Sequence, residues 1–235
     1  MRYAIYFTPA PDDPLTRTAA KWLGRDPFTG YVTPAPALGR ISAAEIAFHT
    51  AAARRYGFHA TLKAPFRLAE GETEASLGKA VDAFAEGMAP VVLPRLVIAQ
   101  LDGFFALMPE GKPAALHKLA DDVVVAFDRF RAPLTEAEIE RRNPDALRPA
   151  EFRNLCQWGY PYVFEAFRFH MTLTGRVGAE EAPRIRGAIE EFFGTMLEGP
   201  VAVDGLAVFV EPEAGAPFKV QSYHPLGRQR ERKSA

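Results

Sequence analysis

The pentapeptide FHATL at residues 58–62 recurs as FHMTL at residues 169–173, and this pair determines how the rest of the chain is interpreted. Each copy places a histidine two residues before a threonine and keeps the flanking phenylalanine and leucine. The chain contains five histidines, so two matches with shared flanks are not expected by chance. An internal repeat of this kind indicates a duplicated structural unit.

The residues that follow each copy predict the same order of elements. After each histidine, apolar residues at helical spacing precede two apolar runs that end at turn residues. The predicted elements are a helix over 72–88 with strands over 91–100 and 103–108, then a helix over 180–197 with strands over 201–210 and 217–223.

This order predicts an α+β fold made of two pseudo-symmetric lobes. Each lobe is a small antiparallel sheet with helices outside, and the two sheets face each other across a central cleft. We expect one bilobal domain, with lobe one at about 1–132, lobe two at about 133–227 and a disordered tail at 228–235. Residues 8–57 and 133–165 do not repeat, so substrate choice is expected to depend on them.

The charge balance favours a small substrate over a nucleic acid. Lys and Arg total 28 and Asp and Glu total 29, which gives a net charge of −1. A protein that binds nucleic-acid backbones usually carries an excess of basic residues. RNA therefore stays a less favoured partner.

Cellular location is predicted from cysteine content and hydropathy. Cys156 is the only cysteine, so no internal disulfide can form and a reducing compartment fits. No run approaches the roughly 18 apolar residues of a membrane helix. We expect a cytoplasmic monomer without a membrane partner.

Alternation along a strand places residues two apart on the same face. Each copy therefore buries its apolar face and presents polar side chains on the other. The predicted polar faces are His59, Thr61 and Lys63 in the first copy and Arg168, His170, Thr172 and Thr174 in the second.

These side chains suit the cleavage of a phosphodiester. A free histidine titrates near pH 6.5, so one imidazole can be the base for water while the other protonates the leaving oxygen. Threonine hydroxyls can donate to the non-bridging oxygens, and Lys63 or Arg168 can offset their charge. Tyr160 and Tyr162 are candidates for stacking on a sugar or base, with packing at the rim as the alternative.

Other chemistries lack their motifs in this sequence. CxxC, HxH and HExxH spacings are absent, so neither a metal site nor a metal cofactor is expected. The phosphate-binding patterns GxxxxGK[ST] and GxGxxG and the nucleophile pattern GxSxG are absent as well. The paired histidines are therefore the preferred candidates for acid and base.

With two H-x-T motifs in this order, the chain resembles the two-histidine (2H) phosphoesterases, which include the LigT-like cyclic phosphodiesterases and RNA ligase relatives. The strings YGFHATLKAPF (56–66) and WLGRDPFTG (22–30) resemble a bacterial branch whose genes commonly lie in phosphonate-utilisation (carbon–phosphorus lyase) operons. The resemblance implies that the two motif histidines are catalytic and that the two motif threonines bind phosphate.

The expected function is metal-independent hydrolysis of a small cyclic phosphodiester, and ribose 1,2-cyclic phosphate is the specific substrate that we expect. One alternative is a 2′,3′-cyclic phosphodiesterase or ligase that acts on RNA or nucleotide ends. A second alternative is a protein that binds a phosphorylated ligand without turnover.

Overall fold

The computed structural model describes residues 1–39 and 41–227, and the predicted tail at 228–235 lies outside them. The α-helices are α1 (Pro14–Leu23), α2 (Ala43–Tyr56), α3 (Glu74–Glu86), α4 (Ala114–Ala126), α5 (Glu136–Glu140), α6 (Pro149–Trp158) and α7 (Ala182–Phe193). The strands are β1 (Arg2–Phe7), β2 (Ala60–Phe66), β3 (Val91–Leu93), β4 (Leu96–Leu101), β5 (Phe104–Pro109), β6 (Met171–Arg176), β7 (Val201–Val203), β8 (Gly205–Glu211) and β9 (Lys219–Pro225).

The strands form a seven-stranded antiparallel sheet in the order β4-β5-β6-β2-β1-β8-β9, together with a two-stranded sheet of β3 and β7. The α+β prediction is confirmed. The strands that carry the motifs, β2 and β6, are neighbours and pair at Ala60 and Met171. The two expected sheets therefore meet edge to edge at the centre of one larger sheet.

The hairpins are exchanged between the two halves of the sequence. Strands β4 and β5 follow the first motif but pair with β6 of the second, whereas β8 and β9 follow the second motif and join β1 beside β2. Strand β6 therefore pairs directly with the hairpin from the first half, and β2 is linked to the hairpin from the second half through β1.

Two predicted strands are each divided in the structure. The run over 91–100 forms β3 and β4, and the run over 201–210 forms β7 and β8. Pro94 lies at the first division, where its missing N–H cannot continue a strand ladder. Because β3 pairs with β7, both halves use their short strand to build the second sheet.

The repeated phenylalanines anchor the motifs in the core. Phe58 is 0% exposed and Phe169 is 3% exposed. Phe169 packs against Phe7 with ring centroids 5.9 Å apart. Burying such a side chain contributes about 1.5–3 kcal/mol. Because neighbouring residues of an extended segment point in opposite directions, each anchored phenylalanine directs the next residue, a histidine, away from the core.

The non-repeating segment at 8–57 supports the second motif strand. Helix α2 begins at a capping box in which the Glu45 N–H donates to the Ser42 hydroxyl (3.2 Å) and the Ser42 N–H donates to the Glu45 carboxylate (3.0 Å). In α1, the indole N–H of Trp22 donates to the carbonyl of Leu173 in β6 (2.9 Å). This long-range bond fixes α1 on the strand that follows His170.

Candidate active site

The two motif histidines are held by the same hydrogen bond. The Nδ1 atom of His59 donates to the carbonyl oxygen of Gly57 (2.9 Å), and the Nδ1 atom of His170 donates to that of Arg168 (2.7 Å). A carbonyl oxygen only accepts, so Nδ1 carries a proton in both rings. Each Nε2 atom is therefore left to take up or release a proton.

The strand register brings the histidines and threonines together. Ala60 pairs with Met171, so in these antiparallel strands the next positions set His59 beside Thr172 and His170 beside Thr61. All four side chains line one cavity of about 430 Å³. The histidine and threonine of both motifs, which the sequence predicts to lie in one cleft, therefore share one cavity in the structure.

The environment favours the neutral form of both rings. His59 stacks on Tyr6 with ring centroids 4.0 Å apart and an interplanar angle of 25°. Burial lowers the pKa of His59 to about 4, against the opposing effect of the Gly57 carbonyl, and His170 lowers this pKa further when His170 is protonated. Burial also lowers the pKa of His170, against the opposing effect of the Arg168 carbonyl.

A smaller cavity of about 210 Å³ continues the cleft on the His170 side. It shares Thr61, Tyr160 and His170 with the larger cavity and adds Arg168 and Tyr162 to the lining. Three of the predicted substrate-binding candidates, the two tyrosines and the arginine, therefore lie at the site.

The structure corrects the predicted orientation of Lys63. Its side chain is buried, and Nζ donates to the carbonyl of Val124 (3.2 Å) and the carboxylate of Asp128 (3.1 Å). The pairing of β1 with β2 shifts register between Tyr3 and Tyr6, and this irregularity interrupts the alternation after the motif. Ala64 and Pro65 line the cavity instead, so Lys63 does not face the cleft.

Several residues of the site were not predicted from the sequence. Tyr6 supports the His59 ring, and Arg142 and Arg176 line the larger cavity. The Arg142 guanidinium carbon lies 5.0 Å from the centre of the Tyr160 ring, within the range of a cation–π contact. The non-repeating segment 133–165, which contains Arg142, was the available signal for this residue.

Neither a metal cluster nor a membrane helix is found in the part of the chain that the structure describes. No three or more His, Cys, Asp or Glu side chains in residues 1–39 and 41–227 are arranged to hold a metal ion. No helix within those residues is long and apolar enough to cross a membrane.

A family model and two curated proteins each match most of this chain. A family model described as "Protein of unknown function (DUF1045)" matches residues 61–219. The chain is 40% identical over 237 residues to a ribose 1,5-bisphosphate phosphokinase, PhnN, of Janthinobacterium sp. (strain Marseille), covering 99% of this chain and 52% of that protein. A protein of the same name from Laribacter hongkongensis (strain HLHK9) is 40% identical over 221 residues, with coverages of 94% and 50%. The chain thus spans about half the length of the curated relatives it matches.

Similarity to solved structures is weak and covers 97% of the chain. E. coli LigT complexed with NADP+ is 14% identical, with a TM-score of 0.42 and coverages of 97% of this chain and 98% of that one. TT0787 of Thermus thermophilus is 15% identical, with a TM-score of 0.45 and the same coverages.

Proposed function

The chain belongs to the DUF1045 protein family, and we propose that it is a metal-independent phosphodiesterase that hydrolyses a small cyclic phosphodiester. One observation carries this proposal. Two histidines with Nδ1 fixed by a backbone carbonyl leave both Nε2 atoms available in a cavity that also contains two threonine hydroxyls. That arrangement supplies an acid, a base and donors for phosphate oxygens.

The environments of the two rings support an assignment of roles. His59 is stacked on Tyr6, and its pKa of about 4 makes it neutral at physiological pH, so its Nε2 atom is the general base. His170 is the general acid, because a bound phosphate anion beside it favours its protonated form.

The proposed reaction is a single in-line displacement. Nε2 of His59 accepts a proton from water as the water oxygen bonds to phosphorus. The ring P–O bond breaks, and the leaving oxygen takes the proton from Nε2 of His170. Exchange of protons with solvent then restores both histidines. Each positioned acid or base typically contributes about 10²–10⁴ in rate.

The threonines complete the proposed phosphate site. The register sets Thr61 beside the acid and Thr172 beside the base, so their hydroxyls can donate to the two non-bridging oxygens from opposite sides. Arg168 lines the adjoining cavity and adds positive charge near the same oxygens. Positioning and charge stabilisation are the main requirements of phosphoryl chemistry, so this set needs no metal.

The proposed substrate is ribose 1,2-cyclic phosphate or a derivative of it. The two relatives named ribose 1,5-bisphosphate phosphokinase are about twice as long as the matched segment. This chain lacks the GxxxxGK[ST] pattern of a nucleotide-binding loop, which argues against a kinase role for it. Cleavage of the bond between phosphorus and O2 leaves the phosphate on C1, as in ribose 1,5-bisphosphate. From the derivative with a 5-phosphate, this cleavage would form ribose 1,5-bisphosphate, the compound that the relatives are named for phosphorylating.

Turnover of a panel of cyclic phosphates tests the proposal. The panel contains ribose 1,2-cyclic phosphate with and without a 5-phosphate, a nucleoside 2′,3′-cyclic phosphate and an RNA with a 2′,3′-cyclic end, all in the presence of EDTA. We expect EDTA-resistant cleavage of the ribose 1,2-cyclic compounds that is lost in His59→Ala and His170→Ala. Preference for the RNA end would transfer the assignment to RNA. Phosphate binding without turnover of any member would favour a binding protein.

A further inference from the structure

A third cavity, of about 560 Å³, adjoins the 430 Å³ cavity of the two motif histidines, which we call the histidine cavity. The two share the residues Arg2, Tyr56, Pro65 and Arg142. We call it the arginine chamber because five arginines line it. They are Arg2, Arg55, Arg67, Arg141 and Arg142. Its acidic lining residues are Glu138 and Glu211, so the arginines outnumber the carboxylates. A cavity with this excess of positive charge attracts anions.

Most of these guanidinium groups already have partners. Arg2 donates to the buried carboxylate of Glu211 (2.5 Å), and Arg55 bonds to the other oxygen of the same carboxylate. Arg67 donates to both carboxylate oxygens of Glu138 (3.2 and 3.0 Å). These contacts hold three arginines in the chamber wall. The two carboxylates offset two of the positive charges of the chamber.

Arg141 and Arg142 are adjacent in sequence but differ in environment. Arg141 is exposed, and its Nε atom donates to the carbonyl of Ala137 in α5, the helix that ends just before it (3.2 Å). Arg142 is half-buried and lies over the Tyr160 ring, and no carboxylate of the described residues lies within ion-pair distance of it. A partly desolvated cation without a counter-ion is unfavourable unless a ligand provides the negative charge.

The position of Arg142 indicates which part of a ligand it can bind. It is on the boundary between the histidine cavity and the arginine chamber, and Tyr160 holds its guanidinium there. A guanidinium presents its donors in a fork that matches two oxygens of a phosphate. A ligand whose cyclic phosphate lies between the histidines would direct a second anionic group towards this arginine.

We propose that Arg142 binds a second phosphate of the substrate, so that the enzyme selects a sugar cyclic phosphate that also carries a phosphomonoester. The inference rests on the proposed function and deepens it. In ribose 1,2-cyclic phosphate 5-phosphate, the phosphomonoester is on C5, at the opposite end of the sugar from the cyclic group. The paired arginines of the chamber add a positive field around the same group.

Specificity measurements test this assignment. The ratio of kcat/KM for ribose 1,2-cyclic phosphate with a 5-phosphate to that without it is determined for the wild type and for Arg142→Gln. We expect the wild type to prefer the phosphorylated form, and Arg142→Gln to reduce that ratio by about 10- to 100-fold, the effect of losing a charge-assisted bond. Arg142→Lys retains the charge without the fork and is expected to keep part of the preference.

Arg141→Gln is the matched control, because it removes the same charge from the next residue. It is expected to keep the wild-type ratio within about threefold, because Arg141 is exposed and its guanidinium is bonded to the carbonyl of Ala137 in the preceding helix. An equal loss in both variants would assign the preference to the general field and overturn the role of Arg142. A wild type without any preference would overturn the inference while leaving the proposed hydrolysis intact.

A binding measurement separates this inference from the proposed function. Ribose 5-phosphate is titrated into the wild type and Arg142→Gln by calorimetry. A loss of affinity of about tenfold or more in Arg142→Gln supports the phosphate subsite even if no cyclic phosphate is cleaved. Equal affinities for the two proteins, or absence of binding to the wild type, would overturn the subsite even if cleavage occurs.

Discussion

Two regions of the molecule hold histidines by hydrogen bonds: the cleft, with His59 and His170, and the contact between α3 and β9, with His224. Of these two regions, only the cleft leaves a ring nitrogen of each histidine free. His59 and His170 each use Nδ1 for a backbone carbonyl. At the α3–β9 contact, Nδ1 of His224 bonds to Asp82 (2.6 Å) and Nε2 bonds to Ser222 (2.7 Å). Both ring nitrogens of His224 therefore have protein partners.

The comparison shows that hydrogen-bond connectivity alone does not identify an active site. The order Ser222, His224, Asp82 is that of a serine hydrolase triad. His224 is only 5% exposed, and none of the three residues lines the cavities described above. A catalytic histidine also needs a nitrogen that can reach substrate. The cleft meets that condition, and the α3–β9 cluster joins a helix to a strand.

Replacing the histidines tests the comparison with the largest expected effect. His59→Asn and His170→Asn are each expected to lower kcat/KM by about 10²–10⁴, because each removes an acid or base. The double variant should be little worse than either single one, since the two groups act in one step. His224→Asn should stay within about threefold of the wild type. Steady-state kinetics with melting curves of all variants provide the measurement.

One outcome would reverse the comparison. If His224→Asn were folded and inactive while a cleft variant kept its activity, the site would have to be moved to the α3–β9 cluster. A cleft variant that failed to fold would be replaced by His→Gln at the same position before the kinetics were interpreted.

Threonine substitutions sharpen the comparison inside the cleft. Thr61→Val and Thr172→Val are each expected to lower kcat/KM by about 10- to 100-fold, through loss of a donor to phosphate. Thr174 is two residues beyond the second motif threonine, but its hydroxyl accepts from the Phe105 N–H (2.9 Å) and donates to the Gly175 carbonyl (2.8 Å). Thr174→Val should therefore lower the free energy of unfolding by about 1–3 kcal/mol. Equal effects of all three on unfolding would contradict the distinction.

The repeat made the class of fold and the centre of the site predictable. Apolar alternation around His59 and His170 predicts that each phenylalanine and leucine of the motifs is buried while the histidines face the other way. The structure has this arrangement within the motifs, with each histidine directly before its strand, but the alternation ends at Lys63. Helical spacing predicts α3 and α7 within a few residues of their ends. These features depend on local pattern, which a sequence displays directly.

Features that depend on distant contacts were not predictable in this way. The shift of register that buries Lys63 arises from the pairing of β2 with β1, which no local pattern near the motif reveals. The exchange of hairpins between halves is likewise a matter of tertiary pairing. Arg142 belongs to a segment without a repeat, and only the fold brings it to the cavity of His59.

The pH dependence of activity should report on the cleft and not on His224. The pKa values of both cleft histidines lie below the ordinary value of about 6.5, with His59 at about 4. Activity needs His59 neutral and His170 protonated, so kcat/KM should be bell-shaped with its maximum below pH 6.5. Above the pKa of His170 the proposed acid loses its proton, and kcat/KM should fall about tenfold per pH unit.

The pH profile of kcat reports the pKa of His170 in the enzyme–substrate complex, whereas that of kcat/KM reports its pKa in the free enzyme. A bound phosphate anion favours the protonated form of His170, so the alkaline limb of kcat should lie at higher pH than that of kcat/KM. His224→Asn should leave both profiles unchanged. Rates measured from pH 3.5 to 8.5 for the wild type and this variant provide the test, and a kcat/KM maximum above pH 8 would contradict the role of His170 as acid.

The smallest expected effects come from the partners of His224, and their order is informative. Ser222 bonds to a histidine that is only 5% exposed, so Ser222→Ala leaves a buried nitrogen without a partner and should cost about 1–2 kcal/mol. The side chain of Asp82 is 64% exposed, so water can replace its bond in Asp82→Ala and the cost should stay below about 1 kcal/mol. Urea denaturation of both variants, compared at equal m-value, measures these differences. A larger loss of unfolding free energy in Asp82→Ala than in Ser222→Ala would mean that the contact between α3 and β9 depends on charge. The predicted order instead identifies His224 as a residue that serves packing and hydrogen bonding, in contrast to the cleft histidines with their free nitrogens.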